Sequence, residues 1–277
     1  MKLVLGTVQF GLHYGINSQG RPSQEVVTKI LTTAYEKGLN MLDTSAAYGD
    51  SEYILGKCIP IALKEKFKII SKYPQCTESV TQVLDKSLGV LGVKNIYGYL
   101  LHHFIVYKND RHFWAQMESV KKDGKVKKIG FSLYSPIELE EILNRGDKFD
   151  IIQVPYNIFD RQFEPYLQEL KSRGVEIHVR STFLQGLFFM DMNGLPSKLE
   201  PLKPYLRKLH DYAKQKKLTI SQIALNYNLQ NPLIDGVLIG VDNVKQLEEN
   251  IGSVIDRNID IAIEIKEKSL LSPVNWN

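Results

Sequence analysis

Residues 39–52 read LNMLDTSAAYGDSE, and this stretch decides the fold. A short apolar run, Leu39 to Leu42, delivers Asp43 to a polar turn, and Tyr48 follows five residues later. An acid at the tip of an apolar strand is costly to desolvate, and a fixed partner such as a buried cation usually meets that demand. The chain supplies a cation. FKIISK ends the next apolar run at Lys72, and YGYLLH ends the one after it at His102.

Lys72 follows Asp43 by 29 residues and His102 follows Lys72 by 30, so each step is one strand-plus-helix unit. A (β/α)8 barrel averages roughly 31 residues per unit and takes its catalytic groups from the C-terminal ends of several strands. The spacing predicts an α/β fold, a (β/α)8 TIM barrel filling residues 1–277 as one domain. Asp43, Tyr48, Lys72 and His102 then converge on one mouth.

Apolar runs predict strands at Lys2–Leu5, Leu39–Asp43, Phe67–Lys72, Ile96–His102, Lys128–Ser132, Phe149–Pro155, Val175–Ser181 and Gly236–Gly240. Helical spacing fills the gaps. Ser23 can cap a helix with Val26, Val27, Ile30, Leu31 and Ala34 on one stripe, and others are expected from Ser79, over Phe113–Lys122, from Pro136 and over Phe163–Ser172. Leu202–Gln215, Ser221–Gln230 and Val244–Ile255 complete the set, with one more short helix beyond Asp260. The irregular segment Thr182–Pro201 is long enough to be read as functional.

With 277 residues, 43% hydrophobic and 24% charged, the composition is that of a soluble globular protein. A net charge of +4 is too thinly spread to indicate a nucleic-acid or membrane surface, and the basic cluster Lys121–Lys128 reads as a solvated helix end. Cys58 and Cys76 form neither a metal spacing nor a disulfide framework, which suits the cytoplasm. Met1–Leu12 reads as a first strand and not a signal peptide, and no apolar run reaches membrane-span length. Oligomeric state leaves no mark.

The quartet suits acid catalysis. An ammonium beside a phenol favours the phenolate and is expected to lower the Tyr48 pKa, while Asp43 holds Lys72 charged and oriented. His102 can hydrogen-bond a carbonyl oxygen and aim it. Singly, each residue has an ordinary reading: the Asp as a turn cap, the Tyr as packing. His102 and His103, adjacent on a strand, are expected on opposite faces, so no metal site is predicted. Phe10, Tyr73, Phe104, Phe183 and Phe188 are candidates for an apolar pocket wall.

The residues LDTSAAYG, IISKYP and YLLHH resemble the motifs of the aldo-keto reductase family, and the similarity runs from LVLGTVQFG near the start to LEENI near residue 251. The resemblance implies an NAD(P)H-dependent oxidoreductase that reduces a small aldehyde or ketone. Tyr48 would be proton donor, Lys72 and Asp43 would tune it, and His102 would orient the substrate. It also implies cofactor contacts at Gly6, Ser132, Gln153, Arg180 and Ser181, and around the adenosine half at Gly240, Asp242, Gln246, Glu249 and Asn250. Gly240 and Gln246 stand where some members carry Lys and Arg for the 2′-phosphate. NADP is therefore expected over NAD by a small margin, with Lys245 as the cation nearest that place.

Two other readings share the fold. One is a cofactor-binding regulator without turnover. The other is a lyase or aldolase with Lys72 as Schiff-base nucleophile, against which Asp43 argues by keeping the amine protonated. No GxGxxG or P-loop is present, so a Rossmann domain or phosphotransferase finds no support.

Overall fold

The computed structural model describes residues 1–16, 20–263, 265, 267–271 and 276. Eight parallel strands close a barrel in chain order: β1 (Leu3–Gly6), β2 (Met41–Asp43), β3 (Lys68–Tyr73), β4 (Ile96–Leu101), β5 (Val126–Ser132), β6 (Ile151–Pro155), β7 (Glu176–Arg180) and β8 (Gly236–Gly240). The barrel closes by pairing β1 with β8, Gly6 facing Gly240. This is the (β/α)8 barrel that the 29- and 30-residue spacing predicts.

Ile70, Leu100 and Ile151 fill the barrel interior, with Met41 and Tyr97 packed against them. Glycines make room for the isoleucines. A Cβ on Gly130 would lie 1.7 Å from the Ile151 carbonyl oxygen, and one on Gly98 would lie 3.1 Å from the Ile70 side chain. Large and small residues thus alternate around the barrel and give the mouth a solid floor.

The helices start where capping chemistry permits. Ser23 accepts from Val26 N at the head of Gln24–Glu36, whose Val27, Ile30, Leu31 and Ala34 are buried. Ser79 and Gln82 form a capping box for Val80–Leu91, and Thr219 with Gln222 forms another, starting that helix at Ile220. Phe163–Ser172 is split into a 3-10 turn, Glu164–Tyr166, and a helix, Leu167–Ser172, because Pro165 fits only a first turn. The helix expected to reach Ile255 ends at Gly252.

Two short helices escape the periodicity, Val8–Gly11 and Phe104–Asn109, and both begin within three residues of a strand end. The segment after β7 contains 3-10 turns at Leu184–Phe189 and Ser197–Leu202. Beyond Asp260 the described residues include only a 3-10 turn, Lys268–Leu271. Three lysines of the basic cluster are paired: Lys121 with Asp150, Lys125 with Asp85, and Lys128 with Glu176. No helix among the described residues is long and apolar enough to cross a membrane.

Candidate active site

Asp43 ends β2 in register with Gly6 on β1 and Ile70 on β3, and Lys72 pairs with Leu100 across β3 and β4. Their side chains meet in the mouth. Lys72 Nζ donates to Asp43 Oδ1 at 2.6 Å and to the Thr44 carbonyl at 2.9 Å, with Lys72 0% and Asp43 2% exposed. The second carboxylate oxygen accepts from Gln153 Nε2 at 2.7 Å. Asp43 is thus held by a cation and an amide from opposite sides of the barrel, which compensates its burial.

Tyr48 hangs over this pair. Its hydroxyl lies 3.4 Å from Lys72 Nζ, and the ammonium sits 4.9 Å from the ring centroid. The turn that carries it is tied down by a buried hydroxyl cluster: Ser51 Oγ lies 2.8 Å from Thr7 Oγ1 and 3.0 Å from Thr44 Oγ1, and Thr7 Oγ1 donates to the Asp43 carbonyl. Gly11 closes on the same turn, since a Cβ there would stand 1.8 Å from the Tyr48 carbonyl oxygen.

Burial, then the Asp43 carboxylate, pushes the Tyr48 phenol well above its usual range, so it is protonated at neutral pH. This corrects the expectation of a lowered pKa. In the free protein Lys72 answers to Asp43 more than to Tyr48, and the phenol is a stored proton, not a phenolate. Burial draws the Lys72 ammonium down, and Asp43 works against that shift.

His102 lies one residue past β4, its backbone N–H bonded to the Tyr73 carbonyl at 3.0 Å. Its ring meets the Tyr48 ring edge-on at 5.5 Å, and Nδ1 lies 3.0 Å from Ser45 Oγ. Burial, then Lys72, pulls the imidazole down to about 2, so it is neutral and can offer one ring nitrogen to a substrate oxygen. His103 does not point to the opposite face: the two rings stack at 4.7 Å with 19° between planes. The alternation rule fails because the strand has already ended at Leu101. The stack continues through Tyr134, 6.2 Å from His103, to the Arg180 guanidinium, 4.2 Å from the Tyr134 ring.

A cleft of about 420 Å³ opens beside Tyr48. Besides Asp43 and Tyr48, it is lined by Gly6, Gln153, Arg180, Ser181, Gly240, Asp242, Gln246, Glu249 and Asn250. Ser132 is paired with Gln153 in register but is buried and does not line the cleft. Of the five aromatics proposed as walls, only Phe183 does so. Phe10, Tyr73, Phe104 and Phe188 are buried in the core, and Tyr14 and Phe189 supply the aromatic surface instead. Tyr14 accepts from Gln185 Nε2 at 3.2 Å, so the loop after β1 meets the loop after β7 over the cleft.

Ser181, Leu184 and Gln185 have φ of 63°, 48° and 54°, the left-handed region where non-glycine residues are strained. Such strain clusters at functional sites, and here Leu184 and Gln185 fall in the segment that the sequence leaves irregular, with Ser181 just before it. At the far end Asn243 caps the helix Val244–Gly252, accepting from Gln246 N, while Gln246 Oε1 accepts from Asp242 N at 2.7 Å. Lys245 is 84% exposed and lies 3.8 Å from Glu249, outside the cleft lining.

Barrel, buried ion pair and overlying tyrosine place the chain among enzymes that work at the C-terminal mouth of a (β/α)8 fold. A model of the Aldo/keto reductase family matches residues 2–263, and the chain belongs to that family. Membership makes it a nicotinamide-dependent oxidoreductase of carbonyl compounds. It is similar to L-galactose dehydrogenase of Arabidopsis thaliana, 27% identical over 261 residues, 86% of this chain and 80% of that one. It is also similar to the uncharacterized oxidoreductase YqkF of Bacillus subtilis (strain 168), 25% identical over 255 residues, 83% and 82% of the two chains. The holo form of aldo-keto reductase AKR11C1 from Bacillus halodurans shares the fold, with a TM-score of 0.75 at 20% identity over 100% of this chain and 92% of that one.

Proposed function

We propose that this protein reduces an aldehyde or ketone to an alcohol by direct hydride transfer, with Tyr48 as the proton donor. One observation carries the reading: the Tyr48 hydroxyl, protonated at neutral pH, lies 3.4 Å from an ammonium that Asp43 holds in place. As the carbonyl oxygen gains negative charge, Tyr48 gives it the phenolic proton. Lys72 then stabilises the phenolate left behind. His102, neutral and fixed through Ser45, orients the carbonyl oxygen by a hydrogen bond.

The cleft fits a nicotinamide dinucleotide. Its wall includes a buried polar atom without a partner, Gln9 Oε1, which an amide of such a ligand would engage. When bound, the nicotinamide supplies the hydride to the carbonyl carbon. Gly6, Gln153 and Ser181 would hold its nicotinamide half, with Arg180 beside them at the end of β7, and Gly240, Asp242, Gln246, Glu249 and Asn250 its adenosine half; Ser132, buried outside the cleft lining, would not touch it.

NADPH is preferred over NADH by a small margin in this reading, with Lys245, on the exposed face of the helix Val244–Gly252, as the basic side chain that would meet the 2′-phosphate. A second reading, NADH preference, is favoured by a specific feature: the acids Asp242 and Glu249 line that end of the cleft, and acids there suit a free ribose hydroxyl. The free thiols Cys58 and Cys76 support a cytoplasmic setting. A panel of aldehydes, ketones and aldose sugars, read by oxidation of NADPH and NADH, tests the function. Turnover on at least one carbonyl is expected, and tight nucleotide binding without turnover on any would make the protein a cofactor-binding regulator.

A further inference from the structure

Buried and half-buried cations among the described residues are generally paired with carboxylates: Lys72 with Asp43, Lys128 with Glu176, Lys171 with Asp235. Arg180 is different. It stands at the end of β7 in the wall of the cleft that holds Tyr48, and it makes no ion pair with a carboxylate among the described residues. One guanidinium nitrogen donates to the Leu133 carbonyl at 3.0 Å, and Nε is buried without a partner. The guanidinium stands over the Tyr134 ring, 4.2 Å from its centroid.

A guanidinium in a cleft wall without an ion-paired carboxylate is costly in the free protein, and an oxyanion is the ligand that offsets this, through two parallel charge-assisted hydrogen bonds. Position narrows the choice. The charge of Arg180 is felt at Lys72 and His102, where burial is the larger influence and the guanidinium pulls further in the same direction, and more weakly at the buried carboxyl of Asp160. It therefore acts at the reacting end of the cleft, where Tyr48 stands. The stack Arg180–Tyr134–His103–His102 joins it to the histidine beside Tyr48.

Resting on the carbonyl-reductase reading above, we propose that Arg180 binds a carboxylate of the substrate, so that the preferred substrates are carbonyl compounds that also carry an acid group. The same chemistry has a second source, the diphosphate of the cofactor, and the experiment separates the two.

The test compares kcat/KM for 2-, 3- and 4-carboxybenzaldehyde with benzaldehyde, and for galacturonate with galactose, in the native protein, Arg180→Gln and Arg180→Lys, alongside NADPH titration of each. A charge-assisted contact is worth at least about tenfold, so the best acid substrate should exceed its neutral partner by that factor. The ratio should collapse toward one in Arg180→Gln and return in part in Arg180→Lys. Being a ratio within one protein, it is insensitive to a change in cofactor affinity that affects both substrates. A native ratio near one, or a ratio unmoved by Arg180→Gln, overturns the proposal. Weakened NADPH binding with an unmoved ratio assigns the oxyanion to the cofactor and likewise overturns it. Should Arg180→Gln not fold, or no aldehyde turn over, binding of benzoate against benzamide to the native protein with NADP still decides. Benzoate tighter by about tenfold supports the anion site even where the reductase reading fails, and equal binding removes the site.

Discussion

Lys72 Nζ lies 2.6 Å from Asp43 Oδ1 with both side chains closed to solvent. Removing one partner of such a pair strands a buried charge, typically at about 3–5 kcal/mol. Asp43→Asn should approach that loss, because it leaves Lys72 without a counter-charge and presents an amide to the Gln153 amide. Lys72→Met should abolish turnover with a smaller loss of stability, since Asp43 keeps the Gln153 donor. Urea unfolding of both variants checks this, and equal, negligible losses would show that the two groups do not meet.

His102 links stability to pH. Its imidazole is drawn by burial, then by Lys72, from an ordinary 6.5 to about 2 in the folded chain. Between those values the unfolded chain binds a proton that the folded chain refuses. The stabilisation is intact above about pH 6.5 and falls as pH drops toward 2, by about 1.4 kcal/mol per unit. In His102→Gln the loss of stability between about pH 7 and pH 5 should be shallower than in the native protein. Parallel curves for the two proteins would mean that His102 is not held neutral.

Asp43, Tyr48, Lys72 and His102 were legible in the sequence because the unit spacing of a barrel puts successive strand ends side by side. The glycines, serines and threonines around them were legible only as a polar turn. That Thr7, Thr44 and Ser51 form one hydroxyl cluster depends on β1 and β2 being neighbours, which no local pattern encodes. The stacked histidines were misread because a strand boundary moved by one residue, from His102 to Leu101. The aromatics were misplaced for a related reason: a residue such as Phe188 reads alike whether it faces the core or the cleft. The Gln153 bond to Asp43, across 110 positions of sequence, had no signal to find.

Gly11 gives a steric prediction. A methyl group there would press on the Tyr48 carbonyl at 1.8 Å and on Ser51 N at 2.5 Å, so Gly11→Ala must shift the turn that carries the proton donor. A displacement of about 1 Å at a reacting group is worth on the order of a hundredfold in rate. Gly89→Ala is the control: it has nothing within 4 Å and lies in the helix Val80–Leu91, so it should add about 0.5–1 kcal/mol of stability and leave the rate unchanged. Steady-state rates and melting curves of both variants test the contrast.

For the cofactor, binding titrations of NADPH and NADH on the native protein and on Lys245→Ala should show a small NADPH preference that the variant reduces. A preference for NADH that Lys245→Ala leaves untouched would favour the reading in which Asp242 and Glu249 receive a free ribose hydroxyl.

The central claim is that Tyr48 delivers the proton, and Tyr48→Phe tests it most directly because the ring, and with it the packing against His102, is kept. The measurement is single-turnover reduction of a carbonyl substrate by enzyme preloaded with NADPH, with nucleotide affinity determined on the same sample. The account predicts unchanged nucleotide binding and a chemical step slower by about two to four orders of magnitude, the usual worth of a positioned acid. A near-native single-turnover rate in Tyr48→Phe would contradict it.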